Sequence, residues 1–161
     1  MTPGAFGLAA LAMFAVFTVP GDSTGAGTIA GQPAGAAEPT LHSLPAEMLE
    51  VIWQWVWYGD GEEQFDVGKP DQYSVQFFAD GTVAIQADCN RGRGNFTLGP
   101  DQRITLGTLG TTMMLCPEGS LDDRFLGALD RVRSYHELEG DLLLEAPLDS
   151  GTLRFRRKAT G

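Results

Sequence analysis

Between Tyr73 and Arg156 the chain is a succession of short alternating segments cut by glycine or by Asp-Gly pairs. This pattern constrains the fold more than any other feature. Tyr73-Ser-Val75-Gln-Phe77 alternates, Asp80-Gly81 offers a tight turn, and Thr82-Val-Ala-Ile85 alternates back, which reads as a β-hairpin. Its second arm runs on to Asp88, Gly92 and Gly94 mark a turn, and extended structure resumes over 95–98. Further strands are expected over 103–106, 109–114, 134–138, 142–146 and 152–156. Parallel neighbours need crossovers of a dozen or more residues, and most of these gaps are too short, so the sheet is expected to be antiparallel. Roughly eight such strands would curl into an incomplete barrel.

One helix interrupts the series. Ser120-Leu-Asp-Asp123 has the form of a capping box with Asp in place of Glu, and Leu121, Phe125, Ala128, Leu129 and Val132 then share one face. The expected class is therefore α+β, mostly β: an antiparallel curled sheet or incomplete barrel with one amphipathic helix covering an opening.

Ahead of the hairpin, MLEVIWQWVWY over 48–58 admits two readings. Alternation puts Val51, Trp53, Trp55 and Trp57 on one strand face, whereas Met48, Leu49, Ile52, Trp53, Val56 and Trp57 fit a helical stripe. Aromatic and β-branched density favours a strand from Val51, after a turn begun at Ser43-Leu-Pro45. Three indoles on one face either fill a core or, with Phe77 and Phe96, wall a ligand cavity. Residues 59–71 carry Asp60, Glu62, Glu63, Asp66 and Asp71 among glycines and a proline and read as a long polar loop. They lack the spacing of a calcium loop, and Lys69 intrudes.

Residues 5–19 are apolar and uncharged, the length of a signal-peptide core and short for a membrane span. Residues 1–20 are accordingly expected to be an export signal, with an uncleaved membrane anchor as the alternative. No Lys or Arg precedes the apolar run, and Ala34-Gly35-Ala36 is the nearest small-residue site. No cysteine lies near it, which argues against a lipid-modified N-terminal cysteine. Residues 21–40 are dominated by Gly, Ala, Thr and Pro and read as a disordered linker. One folded domain is expected over 41–161.

The formal charge of −10 across 161 residues excludes a protein that tracks nucleic-acid phosphates. Arg154, Arg156, Arg157 and Lys158 form one basic cluster, either a solvated strand end or a contact for anionic headgroups. Cys89 and Cys116 are the only cysteines. In an exported chain they would pair, two buried free thiols being the alternative. Neither cysteine has a CxxC partner, and His42 and His136 show no ligand spacing, so no metal or other cofactor is expected.

Around these cysteines lie the motifs DCNRGRGNF over 88–96 and TTMMLC over 111–116, with LLLEAP and LRF closing the chain. Together with the tryptophan strand and the Asp-Gly hairpin they resemble the META domain, the HslJ-type family of bacterial envelope proteins, over about residues 49–157. The match rests centrally on Cys89, Asn90, Gly94, Thr112, Met113 and Cys116. The resemblance implies an antiparallel, barrel-like α+β fold and exported or lipid-anchored members broadly associated with heat shock and envelope stress; the expected location is periplasmic or extracellular. It implies no catalytic residues.

The residues themselves lead to the same place. Cys89 beside Arg91 and Arg93 has the surroundings of a reactive thiolate, but only His42 or His136 could act as a base, and no motif places either nearby. The expectation is no enzyme. Asp88, Asn90, Gly92, Gly94, Thr112 and Met113 read as structural, with Asn90 satisfying backbone groups and a Cys89–Cys116 disulfide stapling the two motifs. Function then falls to binding. The favoured expectation is a docking module for an envelope or membrane-complex protein. The alternative is a carrier of a lipid or small apolar ligand, lined by Trp53, Trp55, Phe77 and Phe96, with no nucleic-acid partner in either case.

Overall fold

In the computed structural model, which describes residues 43–159, the alternating segments form one sheet. In chain order the elements are β1 (Trp53–Gly59), β2 (Gln64–Asp66), β3 (Tyr73–Phe77), β4 (Thr82–Ala87), β5 (Asn90–Leu98), β6 (Ile104–Leu106), β7 (Gly110–Thr111), α1 (Asp122–Arg131), β8 (Ser134–Leu138), β9 (Asp141–Glu145) and β10 (Thr152–Arg157). The signal or anchor expected over 1–20, the linker over 21–40 and His42 lie outside the described residues. Strand order is β6-β5-β4-β3-β1-β10-β9-β8, with β2 added to β1 and β7 to β5. Every strand pair is antiparallel.

The accumulated twist of such a sheet brings its two ends together. The Ile104 N–H donates to the Arg133 carbonyl and the Tyr135 N–H to the Gln102 carbonyl, each at 3.0 Å, around a bridge between Arg103 and Ser134. β6 and β8 meet there, and the rest of their seam is unsealed. The result is a nearly closed barrel, and α1 packs Phe125, Ala128 and Leu129 into its core.

Two indoles fill that core rather than three. The β1–β10 register shifts between Trp55 and Trp57, a bulge that inverts the alternation. Trp53 and Trp55 are buried, Tyr58 takes the next inward place, and Trp57 is only partly buried. Its ring instead covers Gly59, where a Cβ would sit 2.2 Å from the indole. Inside, Trp55 stacks on Phe125 with centroids 4.9 Å apart and meets Tyr73 edge-on at 5.7 Å.

The long polar loop expected over 59–71 is partly ordered as a hairpin closed by β2. Asp60 makes the turn. Its Oδ1 accepts the N–H groups of Glu62 and Glu63, and its Oδ2 accepts the Tyr58 hydroxyl. These donated bonds, the backbone ones first, hold the Asp60 carboxyl below the usual carboxylate range. Arg124 then lies over Phe65 and Tyr58 and pairs with Glu63, which ties the hairpin to α1.

Gly92 and Gly94 do not make a turn. The chain turns at Asp88-Cys89, where Asp88 adopts φ 53°, and β5 then runs through both glycines. A Cβ on Gly92 would lie 2.8 Å from Thr111 Cγ2, and one on Gly94 would lie 2.8 Å from Leu109 Cδ2 and 3.0 Å from the Thr108 carbonyl oxygen. Glycine here lets the segment that runs antiparallel beside β5 through β6 and β7 pack closely against the strand.

The strand expected over 109–114 shrinks to β7, and residues 112–117 have no regular structure. The expected capping box is also not formed. Leu121 occupies the cap position without a side-chain bond, and its N–H donates to the Tyr73 hydroxyl at 2.8 Å. A buried phenol from β3 thus shares the helix start with Ser120, whose Oγ accepts the Asp122 N–H at 3.3 Å. The basic cluster is largely engaged within the fold: Arg154 and Arg156 pair with buried Asp141, and Arg157 lies over Trp53 while donating to the Glu47 carbonyl.

Candidate functional site

Residues 112–116 leave the sheet after β7, so their backbone groups need partners from elsewhere. Asn90, at the first position of β5, supplies them. Its Oδ1 accepts the Met114 N–H at 2.8 Å and the Thr112 hydroxyl at 3.0 Å. Its Nδ2 donates to the Met114 carbonyl at 3.2 Å, to Asp122 Oδ2 at 3.0 Å and, more weakly, toward Cys116 Sγ at 3.4 Å. A primary amide has two donors and one carbonyl oxygen, and here all are used.

The flanking residues repeat the attachment. The Arg91 N–H donates to Thr112 Oγ1 at 3.0 Å, and the Thr112 N–H returns to the Arg91 carbonyl at 2.9 Å. Cys89 and Cys116 are joined as a disulfide with Cα atoms 5.6 Å apart. The alternative of two free thiols is thereby excluded, and the Cys89 sulfur has no thiolate to offer as a nucleophile. His136 stands on β8 with Nε2 3.0 Å from Glu145, apart from this cluster. Among the described residues, no group of three or more His, Cys, Asp or Glu is placed to hold a metal ion.

The loop so fastened points its apolar side chains outward. Met113 is 95% exposed, Met114 60%, and Leu115 is fully open to solvent. A cleft of about 450 Å³ lies under it, bordered by Asn90, Thr111, Asp122, Asp123 and Leu126. Residues 117–120 form a ridge between this cleft and a smaller one of about 240 Å³, reached by Lys69, Tyr73, Asp88 and Glu118.

The structure therefore brings Asp88, Cys89, Asn90, Gly92, Thr112, Met113 and Cys116 together and leaves the aromatic set elsewhere. Trp53, Trp55 and Phe77 are core, Phe96 packs edge-on against Phe77 at 5.1 Å, and Trp57 lies over Gly59. Met114 and Leu115, read in the sequence only as part of the TTMMLC motif, and Asp122, read only as part of a capping box, join the site. A signal for them existed: a buried asparagine must find several partners, and a paired Cys116 places the residues just before it beside Asn90.

A family model for the META domain matches residues 46–160. No curated protein matches the chain. Among solved structures, an NMR structure of a protein from Burkholderia xenovorans is similar with a TM-score of 0.58 at 20% identity, covering 76% of this chain and 98% of that one. A crystal structure of a DUF4847 family protein from Bacteroides vulgatus is similar with a TM-score of 0.53 at 14% identity, covering 71% and 96% respectively. At these identities the likeness concerns the fold alone.

Proposed function

We propose that this chain, which belongs to the META domain family, is a non-catalytic exported envelope protein that works as an accessory module docking on another protein. One observation carries the reading: the barrel is filled. Trp55, Phe77, Phe125 and Phe155 expose 1% or less, and they occupy the space in which a carrier would hold a lipid or small apolar ligand. Large apolar side chains stand on the outside instead, which favours protein contact.

The absence of a catalytic role is supported by the chemistry of the central cluster. Its sulfurs are bonded to each other and its amide is fully engaged by the fold. Export is supported by the disulfide, because such bonds persist in oxidising compartments. No described helix is long and apolar enough to cross a membrane. A stress-related role rests on the family resemblance.

Native mass spectrometry of the protein purified gently from its own host tests the reading. The expected result is a ligand-free chain, two hydrogens short through the disulfide, held in a larger assembly. A small apolar mass released on denaturation would overturn it in favour of the carrier.

A further inference from the structure

We propose that the Met113-Met114-Leu115 tip is a preformed anchor that enters an apolar pocket rimmed by lysine and arginine on a partner protein. This deepens the docking-module reading and rests on it.

Three consecutive large apolar side chains held in water are unusual for a loop that the fold secures at both ends. Asn90 grips the backbone on both sides of Met114, and the disulfide closes the loop at Cys116. An unattached loop could fold its apolar side chains back onto the surface. This one is prevented from doing so by bonds that engage its backbone and leave its side chains free. Because the tip is already ordered, binding loses little further chain entropy. Unbranched methionine side chains adapt to the shape of a pocket.

The setting indicates what kind of pocket. Asp122 and Asp123 border the cleft beneath the tip, and Asp88 and Glu118 border the cleft behind the ridge. Lys69, Arg91 and Arg93 are cations nearby, and Arg124 is paired with Glu63, so against Asp88, Glu118, Asp122 and Asp123 the surroundings stay net negative, as is the chain at −10. An acidic rim about an apolar centre complements a basic rim about an apolar pocket. The same charge opposes an anionic bilayer and a second copy of this chain. The cleft itself gives an apolar ligand little enclosure: Asn90, Thr111, Thr112, Asp122 and Asp123 form much of its wall, and its apolar edge of Met113, Met114 and Leu115 is itself largely exposed to solvent.

The test is photo-crosslinking of the full chain in its own host, with benzoylphenylalanine placed at position 113 or 115, and at exposed position 97 on β5 as the control. Both tip positions should crosslink one protein at an apolar pocket flanked by Lys or Arg, and position 97 should not. With that partner purified, Met113→Ser with Leu115→Ser should weaken binding roughly tenfold or more. Glu118→Lys with Asp123→Lys should also weaken it and flatten its salt dependence; the serine pair should leave the melting temperature unchanged, and the lysine pair should lower it slightly because Asp123 sits in the first turn of α1.

Adducts with another copy of the chain would overturn the proposal. So would vesicles of phosphatidylethanolamine and phosphatidylglycerol that pull down the parent but not the Met113→Ser, Leu115→Ser variant. Crosslinks to a partner from benzoylphenylalanine placed instead at Ile52 beside β1 or Leu138 on β8, both exposed and apolar, with none from the tip, would overturn the anchor and leave the docking-module reading standing. No protein adduct from any position, together with a small bound mass in native mass spectrometry, would overturn both.

Discussion

Asn90 lets one side chain stand in for a missing strand. It binds the Met114 N–H and carbonyl and Asp122 from a position that is 3% exposed. An aspartate there would accept bonds as well but would have nothing to donate to Asp122. Removal leaves several part-buried groups without their partner at once, some of them able to regain water, and empties the buried site that Asn90 fills. Asn90→Ala should therefore cost about 1 to 3 kcal/mol in urea unfolding. Amide exchange should speed up over 112–116 well before it does in β3 and β4. A variant as stable as the parent, with the loop still protected, would show that the disulfide alone fixes this segment. At this scale the sequence was legible in kind: an asparagine at a strand end, reading as a partner for backbone groups. Which groups it meets depends on a loop more than twenty residues away, and local pattern carries no information about that.

The close approach of residues 107–111 alongside β5 separates two glycines that look alike in the sequence. Gly94 lies under Leu109 and the Thr108 carbonyl, and a carbonyl oxygen cannot swing aside as a side chain can. Gly127 is in α1 with nothing within 4 Å of where a Cβ would stand. Gly94→Ala should destabilise the protein by about 1 to 3 kcal/mol through overpacking. Gly127→Ala should stabilise it by about 0.5 to 1 kcal/mol, because the unfolded chain then loses less freedom on forming the helix. Thermal melts of the two variants check the opposite signs. The alternation that marks β3 and β4 and the stripe that marks α1 were readable because burial on one face repeats with a fixed period. The bulge after Trp55 was not, since it breaks the period between two residues of the same type. The glycines of β5 were misread as a turn because composition alone cannot tell a reversal of the chain from a close approach by a neighbouring segment.

For the whole molecule, short segments with tight connections left little but an antiparallel barrel, and that is the form observed. Its seam, joined by a few backbone bonds where β6 meets β8, depends on long-range closure that no local signal records. Across this architecture the disulfide spans a sequence separation of 27. Replacing both cysteines by alanine should cost roughly 3.5 kcal/mol through the greater freedom of the unfolded chain. Denaturant unfolding with and without reductant measures this on parent and variant, and the variant should be indifferent to reductant.

The bond between Cys89 and Cys116 also makes residues 89–116 a covalent ring that contains β5, β6 and β7 whole. The turn over 100–103 is one exposed stretch of that ring and holds Asp101 and Gln102 at φ 57°. A protease that cuts there opens the ring without freeing a fragment. The nicked chain would migrate as one species after boiling in detergent and fall into two pieces only when reductant is added.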